Sequence, residues 1–346
     1  MRSSMLCTLM MVLFCVATTG FAGVFTDFTL DDQTPDTPLA NPVPSSFSPR
    51  YVSGFGLDDA FTVFFEDRNN GGTISWISTT AGPTAFPAAA TATNIVDTHF
   101  VAKPWPITIG TTAYTYRGWG SVGNNADHRF YVSQDMTTWT LVSTFQIANT
   151  ASLGDGYGFA YYGFHDVILI NGTYYAFAES NTGNTLMVRS SNGDDSWEAF
   201  QWMGGVSGSG QLAVPTGAGN GWTPRANFLD LGDDRGMGKL YVDPRDTAIY
   251  LAVNIDAHSS LSQADLETAF IDPTKWTWND GTTGAAANPI YQSTSEHDLR
   301  ECWLIQGSDT QNAWTVIYDA NFTTGGLALG WMGALTPVEL LAFSVQ

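Results

Sequence analysis

Three of the five histidines in this chain stand beside an aspartate at the start of an apolar run. The pairs are Asp97 with His99, His165 with Asp166, and His297 with Asp298. Imidazoles and carboxylates can exchange protons near neutral pH, so such groups could perform acid/base chemistry if the fold gathered them. Because the three pairs occupy equivalent positions, we interpret them as parts of one site.

Two arginines and a glutamate occupy similar positions: Arg225, Arg300 and Glu301. A set of carboxylates, imidazoles and guanidinium groups suits the hydrolysis of a sugar acetal. One carboxylate must be ionised to activate water, and a second must be held protonated by burial. In the inverting geometry the two lie roughly 6.5–9.5 Å apart. For any single residue the alternative is structural, since Asp and His also cap turns.

A repeated strand pattern predicts the elements that position these residues. In the clearest unit, two apolar runs flank Asn171-Gly172, which is a strong hairpin signal. Four strands are predicted there: 164–170, 172–180, 185–191 and 197–203. The preceding unit repeats this order with 98–109, 113–119, 128–133 and 140–145. Four antiparallel strands in so short a segment are typical of one propeller blade.

Further units can be placed at 49–96, 225–278 and 295–345, and an early strand at 24–30 could pair with the last unit and close the ring. We therefore predict an all-β fold, a five-bladed β-propeller of four-stranded antiparallel blades. A β-sandwich with a similar number of strands is the alternative. In a propeller the innermost strands line a central channel, so their first residues would meet at one mouth. The best helical segment, 262–270, is short.

Aromatic side chains support a carbohydrate ligand, because sugar rings stack on them. Five of them follow or flank predicted strand starts: Trp105, Tyr116, Trp119, Trp222 and Trp303. Trp119 and Trp222 are the candidates for binding substrate, while most of the 12 tryptophans are expected to pack between blades.

The composition excludes several classes of protein. The formal net charge is −20, with 13 Lys and Arg against 33 Asp and Glu, so binding to nucleic acid or to anionic membranes is not expected. At 44% hydrophobic residues the chain can bury a large core. Only 13% of the residues are charged, against about 25% in a typical domain, which suits a chain of strands, turns and aromatics.

Residues 1–22 have the features of a secretory signal: Arg2, a short apolar stretch, and a small residue at Ala22. The alternative, a membrane anchor, needs roughly 20 apolar residues. We expect cleavage, a single domain over 23–346, and a secreted protein, extracellular or periplasmic. Cys302 is then the one remaining cysteine, which rules out an intramolecular disulfide.

Two segments resemble the five-bladed propeller glycoside hydrolases, especially family 43 and its relatives. Phe164-His-Asp-Val-Ile-Leu-Ile-Asn-Gly-Thr-Tyr-Tyr-Ala-Phe177 resembles their acid-bearing inner strand, turn and aromatic second strand. Ser133-Gln-Asp-Met-Thr-Thr-Trp139 resembles their recurrent blade turn. The resemblance implies hydrolysis of arabinose, xylose or galactose units in plant or algal polysaccharides. The chain departs from the family in having no proline after Asp97 or Asp166.

By position, the resemblance implies Asp97 as base, Asp166 as orienting acid and Glu301 as general acid. An imidazolium could replace the acid, which keeps His297 under consideration. The residues expected to bind substrate are His99, His165, His297, Arg225, Arg300, Trp119 and Trp222.

Two other functions remain open: a non-catalytic secreted propeller that binds glycans or a partner, and a polysaccharide lyase in which His and Tyr act on a uronate. We expect a monomer with a carbohydrate substrate, no cofactor and no catalytic metal. The acidic loops 192–195 and 232–235 could hold a structural Ca²⁺, although neither has the ligand spacing of an EF-hand.

Overall fold

The structure is a computed structural model, and it describes strands, turns, one α-helix and a short 3-10 helix (Arg68–Asn70) in separate stretches of the chain. The described residues are 28–30, 49–57, 60–80, 89–122, 127–150, 161–180, 185–204, 228–230, 237–243, 248–254, 256–258, 260–272, 275, 277–278, 291–292, 299–306, 314–322 and 326–337. In these stretches the chain forms five antiparallel sheets, which confirms the predicted all-β class.

The first three sheets each contain four strands in sequential order. The first sheet consists of β2 (Pro49–Leu57), β3 (Ala60–Asp67), β4 (Thr73–Thr79) and β5 (Thr91–Ala92). The second consists of β6 (Thr98–Ile109), β7 (Thr112–Ser121), β8 (His128–Ser133) and β9 (Trp139–Phe145). The third consists of β10 (Tyr161–Ile170), β11 (Thr173–Ser180), β12 (Thr185–Ser190) and β13 (Trp197–Gly204).

The fourth sheet has two short strands that both pair with the same neighbour, β16. It contains β14 (Phe228–Asp230), β15 (Met237–Asp243), β16 (Ala248–Asn254), β17 (Thr277–Trp278) and β18 (Tyr291–Gln292). The fifth sheet contains β19 (Leu299–Gln306), β20 (Trp314–Phe322), β21 (Gly326–Pro337) and β1 (Phe28–Leu30). Phe28 pairs with Pro337, so the early strand joins the last unit as the sequence predicted.

The first strands of successive sheets pack beside one another. β6 lies between β2 and β10, β10 also contacts β14, and β19 contacts β2. Large apolar side chains fill the space between these sheets, because each sheet has two faces to cover. Phe164 of β10 packs on Trp197 with ring centroids 4.6 Å apart, and Trp119 of the second sheet joins the same cluster.

Two turns are built in the same way, one in the second sheet and one in the third. The hydroxyls of Ser133 and Ser190 each accept hydrogen bonds from the backbone N–H groups two and three residues further on. A tryptophan, Trp139 or Trp197, then starts the next strand. The acidic segment 192–195 belongs to the second of these turns, where the Asn192 side chain also accepts the N–H of Asp194.

The one α-helix of the described residues, α1 (Gln263–Ile271), agrees closely with the predicted segment. Ser262 caps its N-terminus by accepting the N–H of Asp265 at 3.2 Å. Leu266 and Phe270 are buried against the third sheet. This helix has too few residues to cross a membrane, and the described residues contain no apolar helix of membrane-spanning length.

We expect Gly118→Ala to destabilise the fold by about 2 kcal/mol, because an added Cβ overpacks the core between the first and second sheets. That atom would lie 2.8 Å from Cζ3 of Trp139 and closer still to the Phe100 ring. Urea unfolding measures the change in free energy. The matched control is Gly110→Ala, where the added atom meets open space and only the left-handed backbone (φ 61°) opposes it, at a cost of about 1 kcal/mol. Equal costs for the two variants would contradict the packing explanation.

Candidate functional site

The first strands of four sheets each carry a β-bulge near their N-terminal end. The register shifts lie between Arg50 and Ser53 in β2, Thr98 and Val101 in β6, Phe164 and Asp166 in β10, and Leu299 and Glu301 in β19. A bulge leaves a residue outside the ladder and changes the direction of its side chain. The residues left out include Tyr51, His99, His165 and Arg300. Two of the three predicted histidines and one predicted arginine are therefore bulge residues.

The bulges of β2, β6 and β10 bring three rings together. The rings of Tyr51 and His99 stack with centroids 3.7 Å apart, and His99 meets His165 edge-on at 5.8 Å. Tyr51 and His99 have positive φ angles of 54° and 49°, which are uncommon for residues other than glycine. Gly163 makes room for this contact, since a Cβ there would lie 2.8 Å from the Cβ of His99. We call Tyr51, His99 and His165 the ring cluster.

Asp166 lies directly after the bulge residue His165 and is 1% exposed. Its Oδ1 is 2.8 Å from Nζ of Lys103 on β6, and it also accepts the N–H of Val167. Burial raises the pKa of the Asp166 carboxyl, while Lys103 and His165 act to lower it. This carboxylate thus joins the second and third sheets beside the ring cluster.

Asp97 is buried as well, but its partners belong to its own sheet. Its two oxygens accept hydrogen bonds from Arg129 and from the Tyr131 hydroxyl, each at 2.7 Å. Gly120 makes room for the carboxylate, since a Cβ there would lie 2.6 Å from Oδ2. Burial raises the pKa of Asp97 against the lowering effects of Tyr131 and Arg129. Both oxygens of the predicted base are therefore held by β8.

An ion pair that was not predicted from the sequence lies beside the ring cluster. Glu66, at the end of β3, is 4% exposed, and Nε of Arg68 lies 2.5 Å from its Oε1. The Arg68 guanidinium lies over the Tyr51 ring, 5.6 Å from the centroid. Burial raises the pKa of Glu66, with Arg68 and Arg50 opposing. The signal that could have revealed the pair is the polar run Glu66-Asp67-Arg68 at the end of an apolar strand.

The remaining predicted residues differ in what the structure describes. Trp119 is 1% exposed and donates its indole N–H to the carbonyl of Gly193 at 2.7 Å, so its contacts are those of a residue packed between sheets. In the backbone register of β19 and β20, Glu301 lies opposite Asp319 and directly after the β19 bulge. Trp222, Arg225, His297 and the loop 232–235 lie outside the described residues. Within the described part of the chain, no three His, Cys, Asp or Glu side chains form a metal-binding group.

No protein-family model matches this sequence, and no curated protein is similar to it in sequence. Solved structures are similar in fold. The catalytic domain of the Coprinopsis cinerea GH62 alpha-L-arabinofuranosidase aligns with 89% of this chain and 98% of its own, at 13% identity and a TM-score of 0.53. The endo-arabinase from Bacteroides thetaiotaomicron aligns with 87% of this chain and 97% of its own, at 11% identity and a TM-score of 0.49.

A third similar structure is the Bombyx mori GH32 beta-fructofuranosidase BmSUC1, with 13% identity and a TM-score of 0.47. It aligns with 88% of this chain, which spans 63% of that protein's length. The similarity to the GH62 domain confirms the distant resemblance to propeller glycoside hydrolases at the level of the fold. At such identities the fold is what the similarity shows.

We expect Asp97→Asn to destabilise the folded chain by about 2 kcal/mol at pH 4, because an amide nitrogen replaces one of the two oxygens that accept from Arg129 and Tyr131 and leaves that donor without its acceptor. The pKa of Asp97 is higher in the folded chain than its ordinary value of about 3.9. The stability that Asp97 contributes is therefore complete below that value and is lost as pH rises through the folded pKa. Urea unfolding from pH 4 upwards measures the free energy of unfolding of both proteins. The difference between wild type and Asp97→Asn should decrease as pH rises.

Asp135→Asn is the control with the opposite sign. Backbone N–H groups of Thr138 and Thr137 lower the pKa of the exposed Asp135. Its contribution is present above about pH 3.9 and is lost only as pH falls through the lower folded pKa. The cost of this control should not shrink above pH 4. A cost of Asp97→Asn that grows with pH would contradict a raised pKa.

Proposed function

We propose that this chain is a secreted, five-bladed propeller glycoside hydrolase that acts on a plant or algal polysaccharide or an oligosaccharide derived from one. The observation that carries the proposal is the ring cluster, in which bulges on three neighbouring first strands direct Tyr51, His99 and His165 to one place. The five sheets, with first strands side by side, support five blades. The fold similarity to a GH62 alpha-L-arabinofuranosidase domain supports arabinose units among the expected substrates.

Hydrolysis requires one group that takes a proton from water and another that gives a proton to the leaving oxygen. Asp166 is the orienting acid in this proposal, because it is fixed by Lys103 next to His165. Glu301, beside the β19 bulge, is the general acid. His99 and His165 bind sugar hydroxyls and influence the nearby acids. Asp97 is the base, as the resemblance predicts. The kcat of Asp97→Asn is therefore measured together with the kcat values of the variants described below.

One observation favours a second candidate, a polysaccharide lyase. The ring cluster contains a tyrosine packed on a histidine, and the three described acids near it, Glu66, Asp97 and Asp166, are each bound by a cation. In β-elimination a base removes the proton at C5 of a uronate, the C4–O bond breaks, and a C4=C5 double bond forms. The leaving oxygen takes up a proton. Tyrosine and histidine can serve as this base and acid.

The product distinguishes the two reactions. Purified protein is incubated with a panel of neutral and uronate-containing plant and algal polysaccharides in isotopically labelled water. Hydrolysis places the labelled oxygen in the released sugar, whereas elimination incorporates no water and gives an unsaturated product that absorbs ultraviolet light. Binding without turnover of any glycan would support the non-catalytic alternative and overturn both enzymatic proposals.

We expect His99→Asn and His165→Asn each to lower kcat by about 100-fold while the chain remains folded. Asparagine is chosen because it tolerates the left-handed backbone of His99 better than most residues. Steady-state kinetics on the best substrate of the panel measure the loss. His258→Asn is the control, since that imidazole pairs with Ser260 and not with the ring cluster. Full turnover by both cluster variants would remove the ring cluster from the reaction.

The carboxylates are tested by Asp166→Asn and Glu301→Gln, which keep the shape of each side chain. Each should lower kcat by about 100-fold or more if the acid takes part in proton transfer or orients a group that does. Thermal unfolding of the same samples separates a loss of catalysis from a loss of folding. If Glu301→Gln retains wild-type kcat, the general acid must be another group, and His297 becomes the next residue to test.

A further inference from the structure

We infer that the mouth of the first sheet holds an anion-binding subsite, in which Glu66 positions the Arg68 guanidinium over Tyr51 to receive an acidic group on the sugar. This inference rests on the proposed function, because it takes the ring cluster to be the glycan site. It names the class of substrate: a sugar bearing a carboxylate or a sulfate ester.

The buried carboxylate of Glu66 fixes the position of the Arg68 side chain. Glu66 is buried, and its Oε1 pairs with Nε of Arg68 at 2.5 Å. Gly72, at the turn that follows, has a φ of 81°, and its backbone lies beside this carboxylate. Arg50, the cross-strand neighbour of Glu66, adds a second positive charge beside it. Because Glu66 is buried and has an arginine on either side, this pair differs from a pair of two exposed side chains, which contributes little to stability.

The outer side of Arg68 is accessible. Its side chain is 42% exposed, and among the described residues the acid that it pairs with is Glu66, through Nε. The two terminal nitrogens of the guanidinium thus remain to bind a planar anion, and arginine binds carboxylate or sulfate oxygens in this bidentate way. The guanidinium lies over Tyr51, whose ring stacks on His99. An anionic group on Arg68 would place the rest of the sugar against the ring cluster.

The charges around the site support an anionic ligand in an otherwise acidic protein. The chain carries a formal charge of −20, which repels anions at long range. Near the ring cluster, however, each of three buried carboxylates has its own cation: Glu66 has Arg68, Asp97 has Arg129, and Asp166 has Lys103. Arg50 lies beside the first of these pairs. Neutralised acids remove the local repulsion that would exclude an anion.

The test compares oligosaccharides of the same length that differ in whether they carry acidic groups. Calorimetric titration measures binding of trigalacturonate, of its carboxyl-reduced neutral counterpart, and of a sulfated galactan trisaccharide. Short oligosaccharides are used because the net charge of the chain opposes long anionic polymers. We expect wild type to bind an anionic probe about tenfold or more tightly than the reduced one, and Arg68→Gln to abolish this preference.

Lys275→Gln is the matched control, because it also removes one positive charge but from an exposed pair with Asp256. It should bind all three probes as wild type does. If Arg68→Gln fails to fold, the salt dependence of wild-type binding replaces it: affinity for an anionic probe should fall with added salt, while affinity for the reduced probe should not.

The outcomes separate this inference from the proposed function. Preference for the sulfated probe over trigalacturonate assigns the subsite to sulfate esters, and the reverse assigns it to uronates. Equal binding of charged and neutral probes, or an unchanged preference in Arg68→Gln, overturns the subsite even if neutral glycans are hydrolysed. Arg68-dependent binding of an anionic probe with no turnover of any glycan keeps the subsite and overturns the hydrolase.

Discussion

A regular antiparallel strand directs its side chains alternately to the two faces of its sheet, where neighbouring sheets cover them. A β-bulge interrupts this alternation and changes the direction of the side chain that it leaves out of the ladder. Four first strands of this chain carry a bulge near their N-terminal end, and on three of them the bulge residues Tyr51, His99 and His165 meet. The left-handed backbone at Tyr51 and His99 costs energy that the packing of the sheets must offset.

The buried carboxylates also depend on contacts made by the fold, because each needs a cation beside it. A chain with few charged residues places three carboxylates where water is nearly excluded, and each is bound by a cation. Removing one partner of such a pair is costly because the other charge is then left buried and alone. In Asp97 the pairing stays within one sheet, whereas in Asp166 it joins β6 to β10. The second arrangement couples the position of a candidate acid to the packing of two sheets, which suits a residue that must be held still.

Local patterns were sufficient for the elements but not for the site. Residues 98–109 and 128–133 form strands with the predicted bounds, because alternation and turn residues are local signals. The pairing of β1 with β21 was predictable because a ring must cover its edges. The bulges, and with them the ring cluster, depend on cross-strand register and positive φ angles, which no short segment encodes. Arg68 was not singled out for a related reason: its contact with Tyr51 of β2 comes from the turn that follows β3.

The arrangement of acids bears on the chemistry that this site can support. A general base needs an ionised carboxylate with an oxygen facing the water that it activates. Asp97 gives both oxygens to β8, and the Oδ1 of Asp166 is taken by Lys103 and a backbone N–H. The ring cluster, by contrast, places two imidazoles together at the bulges. A base role for Asp97 therefore requires Arg129 or Tyr131 to move, whereas the orienting role proposed for Asp166 uses the contacts that the structure shows.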